Sequence, residues 1–173
     1  DRKTDANVPA GPPQISRKLE ENEQWLRNAF SLCHDVLIEK TAFGPIPTTG
    51  LLVYCDGMID AKLLNEVVLP GLHHGFAQLT DRETDEQQLI SSWKVSPLIR
   101  TERPDEVVTH VLAGHLAVLI NGWNKAFLID ISSPPQRMPQ ESKIELAIHG
   151  PRDSFTEQLS VNVALIRKRL TSC

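Results

Sequence analysis

LAVLINGWNKAFLI, residues 116–129, sets two short apolar runs on either side of Asn121-Gly122. Branched and aromatic residues suit a pleated, buried surface, and Asn-Gly supplies the positive φ that a tight hairpin loop needs. The stretch predicts a β-hairpin between Leu116–Ile120 and Lys125–Ile131. Upstream, Pro104 fits the first turn of a helix running to about Ala113, and Gly114 fits the C′ position that ends it. Downstream, Ser132–Pro139 is a Pro-rich loop, Glu141–Ile148 alternates enough for a further strand, and a last helix is predicted from about Phe155 to Leu170.

Toward the N-terminus the alternation of elements continues. Leu51–Cys55 is a short apolar run that reads as a buried central strand, stopped by Asp56-Gly57. Asp60 is placed to cap a helix through Val68, with Leu63, Leu64, Val67 and Val68 as its apolar stripe. Thr84–Trp93 suits another helix, and Gly71–Glu86 has no clear pattern. Asp35–Thr41, with Val36, Leu37 and Ile38, suits a strand, and Phe43–Gly50, with two prolines and two glycines, a loop. Ser16 is a plausible N-cap for a helix from about Arg17 to Cys33, with Leu19, Asn22, Leu26, Ala29, Phe30 and Cys33 at helical spacing. Residues 1–14, rich in Pro and polar groups, read as a flexible leader. The expected class is α/β: a mixed β-sheet containing a hairpin, with packed helices and a long C-terminal linker helix. The expected division is a leader over 1–14, an α/β subdomain over 15–152 and a linker helix over 153–173.

Composition narrows the function. The net charge of −4 argues against a nucleic-acid binder, and 5% aromatic residues leave little for base stacking. No apolar run reaches the roughly 18–20 residues of a membrane helix, so the chain as given is expected to be soluble. Cys33, Cys55 and Cys173 include no C-x-x-C pair, and small reduced, buried thiols are expected. No cofactor is expected, because the familiar Gly-rich phosphate loops are missing. The segment LLVYCDGMID, Leu51–Asp60, brings to mind phosphotransferases with Asp-x-Asp-Gly, where paired carboxylates attack and hold magnesium. Tyr54 occupies the first carboxylate's place, so the pair is absent and no catalytic residue is assigned. His110 and His115 are five residues apart, about 140° around a helix. That spacing does not put two metal ligands on one face, and no metal site is expected.

The C-terminal region carries the candidate anchors. Gly150-Pro151 makes a rigid turn, and Arg152 offers a planar fork of donors to a carboxylate or carbonyls. Ser154 and Glu157 form a capping box for the last helix. Phe155, Leu159, Asn162, Val163, Ile166 and Leu170 share one face, with Asn162 as a polar residue inside the stripe. Arg167 and Arg169 lie in the last turn, where cations suit the helix dipole. Gly150, Pro151, Arg152, Glu157, Asn162, Arg167 and Arg169 are therefore the candidate structural or interdomain anchors.

HGPRDSFTEQLSVNVALIRKRL, His149–Leu170, resembles the pattern RGPREGFTE-x-L-x-x-N-x-A-LIRRR of A subunits of nutrient germination receptors from spore-forming bacteria. ISRKLEEN, Ile15–Asn22, resembles the family's ISRDLEEN. LLVYCDGMIDAKLLNEVVLPGL resembles its Tyr-x-Asp-Gly-x-x-Asp segment, and the hairpin has its counterpart too. The likeness runs in order from about Ile15 to Leu170. His149 departs from the usual Arg, and Ser142-Lys143-Ile144-Glu145 stands where Pro-Gln-Thr-Glu is common. The resemblance implies the first α/β subdomain of a large hydrophilic N-terminal region, followed in the family by a second subdomain and a membrane domain. It implies a non-enzymatic regulatory and assembly role on the cytoplasmic, spore-core side of the spore inner membrane, relaying germinant sensing to ion release. It also implies partners: the rest of the A subunit, a transporter-like B subunit, a lipoprotein C subunit, and further A subunits in a homo-oligomer. The alternative function is a sensor domain that binds the germinant itself.

Overall fold

The structure, a computed structural model, describes residues 12, 14–44, 48–77, 86–93, 97–133 and 162–166. Its centre is a five-stranded sheet in the order β1-β2-β4-β5-β3. The strands are β1 Val36–Phe43, β2 Thr48–Cys55, β3 Leu98–Thr101, β4 His115–Ile120 and β5 Ala126–Asp130. The helices are α1 Leu19–Ala29, α2 Ala61–Leu63, α3 Leu69–Ala77, α4 Glu86–Ser92 and α5 Pro104–Leu112. A further short helical segment covers 162–166.

The expected hairpin is β4–β5, with Gly122 at φ +90°. Every described pairing is antiparallel. The expected α/β class with a hairpin and packed helices is present, but the described sheet contains no parallel pair. The reason lies in the connections. The β3–α5–β4 crossover makes β3 and β4 run the same way, and β5 sits between them. The loop placed at Phe43–Gly50 is shorter than expected. Thr48, Thr49 and Gly50 belong to β2 and pair with β1 in a second hairpin. Gly50 is required there, because a Cβ would lie 2.8 Å from the Phe43 ring and 3.0 Å from the Leu119 carbonyl oxygen.

Residues of β2, β4 and β5 alternate between two cores. Leu51, Val53, Ala117, Leu119, Ala126 and Leu128 face α1 and α5. Leu52, Leu116, Val118, Ile120, Phe127 and Ile129 face the α2–α4 side. Burial on both faces explains why these strands are near-continuous apolar runs.

The helix ends follow local chemistry. Asp60 caps α2 by accepting from the Leu63 amide at 2.9 Å, as expected. Gly114, at φ +94°, follows the C-cap Ala113 of α5, also as expected. α1 starts later than expected, with Lys18 at the N-cap and no side-chain cap. Ser16 is engaged instead by Asn22: its amide donates to Asn22 Oδ1 at 2.9 Å, and Asn22 Nδ2 donates to the Ser16 carbonyl at 2.7 Å. Asn22 is buried, so this reciprocal pair satisfies a polar group that would otherwise cost free energy.

The helix after Asp60 does not stop at Val68. A π-helical turn, Leu64–Val68, joins α2 to α3, and the Leu69 amide reaches the Leu64 carbonyl. Pro70 explains it. A regular helix would press its ring against the Glu66 carbonyl and leave that oxygen without a donor, and a widened turn relieves the clash. α3 then packs on Trp93 through Gly71 and Gly75. A Cβ on Gly71 would lie 2.7 Å from the Trp93 carbonyl oxygen.

Candidate functional site

The segment Leu51–Asp60 leads from the middle of the sheet to its rim. Leu51, Leu52, Val53 and Cys55 are buried in β2. Tyr54 lies on the side of α2–α4 and donates its hydroxyl to Glu39 Oε1 at 3.2 Å. Burial first, and then the Glu39 carboxylate, push its phenol up to about 12, so it stays protonated at neutral pH. Asp56-Gly57 makes the turn as expected: Gly57 has φ +79° and its amide donates to Asp56 Oδ1 at 3.0 Å. The Asp56 amide donates to the Asp35 carbonyl at 2.7 Å. The Cys55 thiol donates to Asp35 Oδ2 at 3.0 Å. Cys55 is free and buried, but Cys33 is disulfide-bonded, which corrects the expectation of reduced thiols for that residue. An odd count with wide spacings gave no sign of it.

Past the turn, a clip ties this segment to the end of β5. The Asp60 amide donates to the Ile131 carbonyl and the Ser133 amide to the Met58 carbonyl, both at 2.8 Å, on either side of an Ile59–Ser132 bridge. Gly114 lies directly beneath. A Cβ there would be 2.8 Å from the Met58 carbonyl oxygen and 3.0 Å from Ser132 Cβ. Glycine is therefore needed twice at this position, for its φ and for its closeness.

The 162–166 helical segment reaches this rim. Ala164 is buried against Cys55 and Met58, with Val36 alongside. Leu165 is buried too, whereas Ile166 is 43% exposed. The expected apolar face is corrected accordingly. Ala164 and Leu165 face inward, Asn162 and Val163 are half-buried, and Ile166 points out. The face was assigned from the largest side chains, but a close approach to Met58 favours the small Ala164. Asn162 is thus beside the contact and not at its centre. Gly150, Pro151, Arg152, Glu157, Arg167 and Arg169, with the expected strand over 141–148, lie outside the described residues.

A polar cluster adjoins the clip. His110 lies in the last turn of α5 and His115 begins β4, and their rings sit 4.6 Å apart at 69°. The helical spacing that separated them assumed a continuous helix. Gly114 ends that helix and folds His115 back toward His110. Asp130 is the cross-strand partner of His115. Its Oδ1 accepts from the Ser132 amide at 3.0 Å and from the Ser132 hydroxyl at 2.7 Å. Those two bonds are the main reason its carboxyl titrates below the usual range. Burial is the main reason His115 titrates below the ordinary histidine value, and the charge of Asp130 partly offsets it. Among the described residues no three His, Cys, Asp or Glu side chains are arranged to hold a metal ion. No described helix is long and apolar enough to cross a membrane.

The arrangement offers contact and packing groups around a rim, with carboxylates committed to backbone amides, a hydroxyl and a thiol. Comparison with known proteins agrees with the resemblance drawn from the motifs. The sequence profile described as Bacillus/Clostridium GerA spore germination protein matches residues 24–173. Spore germination protein XA of Bacillus anthracis is 33% identical over 158 residues, 90% of this chain and 32% of that protein. Spore germination protein A1 of Bacillus subtilis is 34% identical over 156 residues, 88% of this chain and 28% of that protein. The chain therefore spans about a third of the length of these relatives. The crystal structure of the N-terminal domain of the A subunit of the Bacillus megaterium spore germinant receptor GerK3 superimposes with a TM-score of 0.70 at 16% identity, over 94% of this chain and 58% of that one. That likeness is one of fold, whereas the profile match over most of the chain settles descent: the chain belongs to the Bacillus/Clostridium GerA spore germination protein family.

Proposed function

We propose that this chain is a regulatory and assembly domain of a germinant receptor A subunit. It couples germinant sensing to the ion-release machinery of the spore inner membrane, from the spore-core side. It carries no catalytic step of its own. The rest of the A subunit and the receptor's B and C subunits are its partners, with further A subunits in a homo-oligomer. The observation that carries the reading is the seat of Ala164 on Cys55 and Met58. A segment near the end of the chain is gripped by the rim of the sheet, so a displacement of one is felt by the other. Such a relay needs packed contacts with two discrete arrangements, not a reactive site.

Enlarging Ala164 tests this. Ala164→Leu overfills a well-packed contact, at a cost of about 1–3 kcal/mol. In the full-length receptor it should slow nutrient-triggered germination of spores several-fold while receptor abundance is unchanged. Normal germination at normal abundance would sink the relay. A nutrient that raises the melting temperature of the domain itself would instead establish germinant binding here.

A further inference from the structure

We propose that His110, His115 and Asp130 form a proton-operated latch on the clip that holds Met58, closed when His115 is neutral and loosened when it is charged. The proposal goes beyond the assembly role and does not depend on which partner the domain meets.

Three features of the geometry carry it. First, the two histidine rings are in contact, 4.6 Å apart, so a proton on one disfavours a proton on the other. Second, Nδ1 of His115 is buried without a hydrogen-bond partner. A charge arriving on this ring would lack both water and a bonded acceptor at that atom, a cost that the His110 backbone and Asp130 only partly offset. Third, the one carboxylate opposite His115 is already employed. Asp130 holds the Ser132 amide and hydroxyl, and Ser132 is the residue bridged to Ile59. A charged His115 therefore competes with Ser132 for Asp130. Drawing the carboxylate away releases the strand of the clip whose next residue, Ser133, holds the Met58 carbonyl. Met58 in turn contacts Ala164. From proton to C-terminal helix the path is a few residues long, and each step is a named contact. The charged and titratable groups acting on His115 are His110 from α5 and Asp130 from β5.

The sign follows from the burial of His115. The folded chain holds this ring below its ordinary value of about 6.5, so the unfolded or opened chain takes the proton more readily. The latch is fully closed above about pH 6.5 and opens as pH falls through the lower, folded value. The titration of Asp130 belongs to a separate, more acid window, because its carboxyl is held below the usual carboxylate range.

Hydrogen exchange on the whole chain, corrected for intrinsic rates, reads the latch directly. Between pH 8 and pH 5.5 the protection of the Asp60, Ser132 and Ser133 amides should fall several-fold. Protection in β2 and β4 should change much less. His115→Gln should abolish the selective fall. His110→Gln should keep it but move its midpoint to higher pH, because the like charge is gone. A selective fall that survives in His115→Gln would overturn the proposal, and so would unchanged protection of the clip in the parent chain. As a check that does not rely on any variant, the His115 ring followed by NMR should titrate below 6.5. Titration at or above the ordinary value would also overturn it.

Discussion

The two faces of the sheet are covered in different ways. On one, α1 and α5 lay aliphatic stripes, Leu19, Leu26, Val107 and Val111, across small and branched strand residues. On the other, Phe76, from a helix widened by a π turn, and Trp93, just past α4, pack against Phe43 and Phe127. The first face is built largely of aliphatic side chains, with Phe30 at its edge. The second adds a cluster of large rings to its aliphatic residues, with glycines on α3 making room for them. Cores of the first kind tolerate volume-conserving change, while those of the second concentrate the cost at single positions.

Truncating the centre of each face should give the largest effect. Trp93→Ala should destabilise by about 3–5 kcal/mol, and Leu26→Ala by less within the range of about 2–5 kcal/mol, read from denaturant midpoints. Equal losses would erase the contrast. Next comes a change that ought to help on propensity alone. Gly75→Ala favours a helix by about 1 kcal/mol, yet its Cβ would clash with Ser92 Oγ and sit 2.9 Å from Trp93 Cδ1. A net loss of about 1–3 kcal/mol is expected from the overpacking. A more stable Gly75→Ala protein would mean that the aromatic face is looser than described. The smallest expected effect is at the entrance to the π-containing helix. Asp60→Ala removes a cap and should cost about 1 kcal/mol, as at an ordinary helix. A loss several times larger would tie the cap to the whole aromatic face.

The same contrast explains what could be read before the structure was known. The aliphatic face used signals with short-range causes: Pro104 at a first turn, Gly114 at C′, Asn121-Gly122 in a hairpin. All of them hold. The aromatic face hid its plan in residues with two meanings. Pro70 and Gly71 look like helix breakers, but here Pro70 widens the helix and Gly71 admits the Trp93 carbonyl. Gly50 looked like loop and is a strand residue under the Phe43 ring. The family motifs around Asp56 and Asp60 located the rim, but not what it grips. Ala164 went unnoticed because a small side chain carries no hydrophobic signal, and its value appears only when Met58 is beside it. The paired histidines were missed because a spacing rule for helices was carried across a helix end.

The tie between α1 and the hairpin loop has a consequence for how the chain comes to fold. The Leu19 amide donates to Asn121 Oδ1, 102 residues away in sequence, and the Gly122 amide donates to the Arg17 carbonyl at 2.8 Å. α1 thus leaves the ribosome well before its dock is made. At synthesis rates of about 5–20 residues per second, α1 waits about 5–20 s with Leu19 and Leu26 uncovered. An isolated helix of 11 residues is too short to be stable in water. During that interval the α1 segment is an unfolded, apolar-striped peptide open to chaperones, and it settles as a helix when β4 and β5 close the sheet beneath it.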